Sequence, residues 1–430
     1  LPLYISHDNR GDKRLYQPGA DWPKIEVEAR PIDALLAEND IETLDFIKID
    51  VQGYEPKVIA GLRDTITRSP KLTLLTEFWP KGIRDAGDDP GEFLKNLREL
   101  GLTLHELKAN GELAELKDIE TDVIDILDRL PEKKGALIDT QGRPALAADC
   151  TGPTLFWSKP LGDPFGGTEL AGGRHPVKML EPTPPADAPE ELVYLILGAL
   201  QFSEAMLRLY GHPQLLAIAA SIHGDDFVPF NEAIFIKKPG LGASVAWHQD
   251  GVTHWDSPSW NQDIHGFTFQ AMLYGCTAAN AVWAVPGTHK LGKIDIAAMV
   301  QANGSERLPE AVPYISGPGV VVIHNRQLVH GSFANTSPDW RISMPLGFHR
   351  RSSVLGVHGG GLHAAPAVFD EARIRERSRM IGYAIDARRQ RFSSEVPFVY
   401  QPLADTGESL HWNESVKRNI KDYNLLDFSI

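Results

Sequence analysis

Between residues 227 and 348 the chain runs through short apolar, strand-like segments with no helical period between them. Residues 232–237, 244–248, 267–274, 281–285, 320–323, 328–333 and 342–348 are such segments, and turns bearing Gly or Pro punctuate them. Strands connected without crossover helices must bury their apolar faces against one another. The pattern predicts a double-stranded β-helix, a small jelly-roll barrel, with helices at its flanks. In such a barrel the inward positions of neighbouring strands converge at the mouth.

The preceding chain has another texture. Residues 25–29, 44–51, 71–78 and 102–107 read as strands, 31–37 (with proline in its first turn) and 91–100 as helices, and 154–158 as a closing edge strand. This α/β rhythm implies a doubly wound, Rossmann-like sheet, present here only in part. Residues 161–188 include PFGGTELAGG and EPTPPADAP, a linker composition with Val177 and Leu180 interspersed. An amphipathic helix is expected over 189–210, and a basic helix over 370–389 that packs on the barrel. The expected organisation is a first domain over 1–160, a linker over 161–188 and a second domain over 189–430.

Within the β-rich part, Trp247-His248-Gln249-Asp250-Gly251 sets an imidazole and a carboxylate two residues apart. On an extended chain both point to the same side. A nitrogen arriving from another strand would complete two imidazoles and a carboxylate on one face of a metal, leaving the opposite positions open. His330, in Val329-His330-Gly331-Ser332, offers it, with His324 as a competitor. Arg341, in Trp340-Arg341-Ile342-Ser343, supplies a planar fork suited to a carboxylate. His254-Trp255-Asp256 is a second His-x-Asp, but it lies in a Trp-, Ser- and Pro-rich stretch that reads as loop, whereas the first ends a strand. His265 and His349 either line a pocket or pack. Trp283 reads as core, and Trp247, Trp255 and Trp260 serve equally as core or as an aromatic substrate wall.

The chain of 430 residues is long enough for two cores. Its 43 Lys+Arg against 57 Asp+Glu give a formal charge of −14, which disfavours a general nucleic-acid or anionic-membrane binder. No apolar run approaches the length of a bilayer span, and no basic-plus-apolar leader opens the chain. Two cysteines, Cys150 and Cys276, expected in different domains, imply no disulfide framework. These features predict a cytoplasmic setting and no nucleic-acid or membrane partner.

WHQDG, then VPGTHK, then HGSFANTSPDWRIS resemble the phytanoyl-CoA dioxygenase family of Fe(II)/2-oxoglutarate oxygenases, in order and in spacing. The resemblance implies that His248, Asp250 and His330 hold Fe(II), that 2-oxoglutarate and O₂ are co-substrates, and that Arg341 clamps the far carboxylate of 2-oxoglutarate. It further implies a hydrogen bond from Ser343 to that carboxylate, and Ser332 and Gln270 as residues that help seat the co-substrate. His289 matches a structural turn histidine. Asn280 matches a family asparagine, although Ala281 stands where glycine usually follows. The implied reaction is hydroxylation of an unactivated C–H bond in a small metabolite or acyl substrate.

The first domain resembles the later half of FkbM-type methyltransferases through DFIKIDVQGYE followed by VIAG. Those enzymes hold S-adenosylmethionine with a glycine-rich turn after the first strand. No such strand–turn–helix unit precedes Asp50, so an incomplete methyltransferase domain is expected. Asp50 and Glu55 then read as turn and capping residues at least as readily as catalytic ones. Two rival readings remain: a methyl-transferring or bifunctional protein, and a non-catalytic metal-binding barrel.

Overall fold

The computed structural model describes residues 1–6, 13–17, 22–107, 113–115, 118–250, 265–359, 363–404 and 406–427. They divide into two compact units, Leu1–Asp128 and Arg129–Ile430. In the first unit, β1 (Phe46–Ile49) and β2 (Thr73–Thr76) run parallel, with Phe46 opposite Thr73 and Ile49 opposite Thr76. Strands Pro2–Ile5, Lys13–Arg14 and Lys24–Glu26 form a separate antiparallel sheet. Helix α1 (Pro90–Glu99) starts where Asp89 accepts from the Gly91 and Glu92 amides, with proline in the first turn, and packs Phe93, Leu94 and Leu97 onto Ile49, Ile59 and Ile83. Glu55 is fully buried and accepts the Val51 amide, so it closes its own turn. Asp50 meets Lys48 at 2.9 Å and Gln52 at 3.0 Å.

The second unit carries two larger antiparallel sheets, besides the short antiparallel pair His358–Gly359 and Ala367–Val368. The strands of the two larger sheets are β3 (Leu155–Ser158), β4 (Leu192–Leu197), β5 (Val228–Lys237), β6 (Val245–His248), β7 (Gly266–Met272), β8 (Trp283–Ala284), β9 (Val312–Pro313), β10 (Val321–Asn325), β11 (His330–Ser332) and β12 (Arg341–His349). The larger sheet has the order β10-β7-β12-β5-β4-β3 and the smaller β6-β11-β8-β9. All these pairings are antiparallel. Helix α2 (Glu371–Arg391), capped by Asp370, flanks the larger sheet, and its buried Arg377 meets Glu232 of β5. Among the described residues, no helix is long and apolar enough to cross a membrane.

Three expectations are corrected. Residues 154–158 do not close the first sheet, because β3 pairs with β4 in the second unit. Cys150 accordingly falls in the second unit with Cys276, and both thiols are free. The helix expected over 189–210 is strand β4 followed by the shorter helix Glu204–Tyr210. LVYLIL is buried along nearly its whole length, and a continuous apolar run of this kind has no period that separates strand from helix. Gly198, at φ +66°, breaks the run, and the Ser203 hydroxyl caps the helix by accepting the Met206 amide.

The segment expected to be a linker is closed into a loop by its own polar groups. Asp163 Oδ1 accepts the amides of Phe165 and Gly166, and Oδ2 accepts that of Met179 at 2.7 Å. Glu181 returns by accepting the Asp163 amide at 2.8 Å. A Cβ on Gly166 would stand 1.9 Å from Asp163 Oδ2, so the close approach requires glycine. The loop thus carries Phe165, Arg174 and His175 to fixed positions.

Candidate metal centre

His248 ends β6 directly opposite His330 on β11. A register shift between Val245 and His248 lies in the same ladder, a common device for re-aiming a side chain. Gly331 separates His330 from Ser332 where a Cβ would come within 3.0 Å of the Val245 carbonyl, so the two strands approach closely there. Asp250 follows one turn on, its amide donating to the Arg326 carbonyl at 2.8 Å. Between them Gln249 is bound elsewhere: its side chain donates to the carbonyls of Gly292 and Gln327 and accepts the Ile294 amide. This alternation sets His248 and Asp250 together.

One ligand atom from each of His248, Asp250 and His330 lies within 4.8 Å of the others, and all three residues are buried. His248 Nδ1 donates to the Ala246 carbonyl at 2.8 Å, and His330 Nδ1 to that of Leu328 at 2.8 Å. Since a carbonyl only accepts, these bonds fix the tautomer and leave each Nε2 with its lone pair, the form a metal needs. Those Nε2 atoms stand 3.5 and 3.8 Å from the Asp250 carboxylate. Burial pushes the Asp250 carboxyl up, but Arg326, His248, His330 and Arg174 outweigh it and hold it well below the carboxylate range. Burial keeps His330 neutral. The donor set therefore fits a divalent cation of the iron class, with two imidazoles and one carboxylate.

His324, the competing third ligand, lines the same cavity with its ring 5.1 Å from that of His330, but it is outside the three-atom cluster. His265 and His349 stack with centroids 4.8 Å apart and do not line the cavity. His289 lies on the turn Thr288–Lys290. Asn280 accepts the Thr277 amide within its turn. Trp247 is fully buried core, its indole donating to Glu306, and Trp283 packs against that cluster. His254, Asp256, Trp255 and Trp260 lie outside the described residues.

Arg341 opens β12 and lines the cavity. The turn that brings it there is organised by Asn335, which is fully buried, donates to the carbonyls of Lys237, Lys238 and Asp339, and accepts the Ser337 amide. Arg341 is 1% exposed, and its Nε and Nη1 meet no partner among the described residues. Each such buried donor costs about 1–3 kcal/mol until an acceptor arrives. Burial lowers this guanidinium to about 10, so it stays charged at neutral pH. Ser332 and Gln270 line the cavity as well. Ser343 does not; its hydroxyl accepts from Gln270 at 3.0 Å, leaving Gln270 Oε1 without a partner.

Sequence reasoning missed three lining residues, Arg174, His175 and Arg326. Arg174 stands 3.3 Å and Arg326 3.5 Å from the two oxygens of Asp250. His175 lies with its ring 4.4 Å from that of His248 and stacks on Phe165 at 4.9 Å. None belongs to a recognisable motif. The signal that existed was the Asp163/Gly166 spacing of a self-bonded loop within an apparently featureless linker.

Two imidazoles and one carboxylate gathered in one buried cluster are a donor set that could hold a metal ion. Residues 199–343 match the family model for phytanoyl-CoA dioxygenase (PhyH), and residues 4–103 match that for the methyltransferase FkbM domain. No curated protein matches the chain. Among solved structures, EctD from S. alaskensis with 2-oxoglutarate and 5-hydroxyectoine is similar at 21% identity, over 39% of this chain and 59% of that one, with a TM-score of 0.33. The epimerase SnoN from nogalamycin biosynthesis is similar at 20% identity, over 36% and 60%, with a TM-score of 0.29. The non-heme monooxygenase ThoJ in its nickel complex is similar at 19% identity, over 47% and 80%, with a TM-score of 0.31. The chain thus spans 59% of the length of the EctD chain it matches.

Proposed function

We propose that the second unit is an Fe(II)- and 2-oxoglutarate-dependent dioxygenase that hydroxylates an unactivated C–H bond of a small metabolite or acyl substrate. The observation carrying this reading is the coincidence, in one cavity, of the buried His248–Asp250–His330 cluster with the unpartnered fork of Arg341. His248, Asp250 and His330 would hold Fe(II), which when bound activates O₂ at the expense of 2-oxoglutarate. Arg341 would take the distal carboxylate of 2-oxoglutarate in a two-pronged, charge-assisted contact, satisfying donors that are otherwise orphaned. Ser332 and the free Oε1 side of Gln270 border the same space, and Ser343 would act through its bond to Gln270. The backbone-anchored Nδ1 atoms keep both imidazoles in register as ligands. Phe165, Leu195, Phe235 and Val282 wall the cavity and limit water.

The two antiparallel sheets are read as the halves of a double-stranded β-helix, with α2 as its flanking helix. The first unit is read as an FkbM-type domain with a Rossmann-like sheet, and the small-molecule partnership and cytoplasmic setting belong to the same reading. Anaerobic addition of Fe(II) and 2-oxoglutarate should produce a weak visible charge-transfer band. Folded, metal-loaded protein with neither the band nor affinity for 2-oxoglutarate rejects the assignment in favour of a non-catalytic barrel.

A further inference from the structure

The cavity is unbalanced in charge. Among the described residues lining it, Arg174, Arg326 and Arg341 are cationic and only Asp250 is anionic. All four are at least nine-tenths buried. Fe(II) and the 2-oxoglutarate dianion would cancel one another, so the proposed cofactors leave the excess where it was. Uncompensated buried charge is expensive; at fully buried Arg377 two carboxylates, Glu232 and Asp427, supply the balance.

Neither extra arginine is used up by Asp250. Their contacts, at 3.3 and 3.5 Å, are longer than charge-assisted hydrogen bonds of about 2.7–2.9 Å. Both Nε atoms are buried without a partner among the described residues. Arg326 is built into place: its guanidinium lies 4.2 Å over the Phe230 ring, and Nη1 donates to Thr268 at 3.2 Å. Glycines make room for it, since a Cβ on Gly266 or Gly347 would stand 3.0 or 3.2 Å from its side chain. Arg174 is held by the loop that Asp163 and Glu181 close. The same cavity also has apolar lining, with Phe165, Leu195 and Phe235.

We propose that Arg174 and Arg326 form the substrate's anion subsite, and that the substrate is a small molecule with an oxyanion head, a carboxylate or a phosphate monoester, on a short apolar body. The proposal rests on the oxygenase reading and narrows it: an acid would enter as its anion, and its neutral ester, thioester or amide would be disfavoured.

The test is calorimetric titration of the Fe(II)/2-oxoglutarate-loaded protein under anaerobic conditions, with the visible band recorded in parallel. The probes are acetate, butyrate and 3-phenylpropionate, each against its primary amide, and ethyl and phenyl phosphate, each against the parent alcohol. At least one anion should bind ten-fold or more tighter than its neutral counterpart, and the better series identifies the head group. Arg174→Gln and Arg326→Gln should each reduce that preference ten-fold or more while the 2-oxoglutarate affinity changes by less than about three-fold. Arg174→Lys, which keeps the charge, should retain part of the preference. No anion preferred in any pair, or a preference that survives both Gln substitutions, overturns the proposal. Absence of the band and of 2-oxoglutarate binding would defeat the oxygenase reading instead, and the calorimetric comparison of anion with neutral probe still decides the subsite.

Discussion

Lys237 on β5 and Arg341 on β12 face each other across the ladder, both fully buried, and they dispose of their donors in opposite ways. The ammonium of Lys237 donates to the carbonyls of Ala243 and Phe333, tying three segments together. The guanidinium beside it lines the cavity, and its Nε and Nη1 meet no partner among the described residues. One side chain is tied to backbone carbonyls, and the other is the proposed carboxylate clamp.

Arg341→Ala should therefore keep iron and lose 2-oxoglutarate affinity by roughly 10²-fold, the scale of a lost charge-assisted pair of hydrogen bonds. Arg341→Lys should recover only part, since an ammonium cannot reproduce the planar fork. Titration of the visible band with 2-oxoglutarate measures both. Parent-like affinity in the Ala variant would contradict the clamp.

His248→Ala and Asp250→Ala should each abolish iron retention, because each removes one of the three donors clustered among the described residues. His254→Ala and Asp256→Ala, in the competing pair, should leave iron bound. Metal analysis after desalting separates the two cases. Loss of iron in the His254 variant with retention in the His248 variant would shift the whole site.

Residues 1–430 should bind S-adenosylmethionine poorly or not at all. Asp50 is engaged by Lys48 and Gln52, and Glu55 by the Val51 amide, so both carboxylates are already occupied by their own turn. Micromolar binding by calorimetry would refute this.

Glu181 should make stability depend on acid pH. Burial pushes its carboxyl up, but Lys159, the Asp163 amide and Lys178 outweigh that and bring it from 4.5 to about 2. A depressed carboxylate contributes stability above its unfolded value, and that contribution is lost as pH falls from about 4.5 towards about 2. Because the side chain is partly exposed, Glu181→Gln should cost only about 1 kcal/mol at neutral pH. Urea unfolding should show the gap between parent and variant narrowing below about pH 4.5 and closing towards pH 2. A gap independent of pH would mean that Glu181 acts by packing alone.

The metal cluster was legible because its parts are local: His248 and Asp250 share one short stretch, and His330 and Arg341 share another. Asn335 explains why the spacing of the latter pair carries information, since its side chain shapes the turn between them. The strands from β5 to β12 were legible for a similar reason, as short apolar runs cut by turn residues. LVYLIL was not, because a run buried on both faces has no period. Arg174 was not legible because its role depends on contacts made across sequence distance, with Asp250 far along the chain. The composition of 161–188 gave a correct count of glycines and prolines but no view of Asp163 gathering three amides.

That self-bonded loop lies wholly outside the stretch of 199–343 that matches the phytanoyl-CoA dioxygenase model, although Phe165, Arg174 and His175 form one wall of the cavity. The proposed iron ligands and the proposed co-substrate arginine sit inside the matched stretch, and this wall outside it. Swapping 163–181 for a foreign loop would leave the oxidising equipment intact and change which molecules reach it. An expression boundary drawn at the start of the recognised family region would yield a protein with every metal donor and an open side.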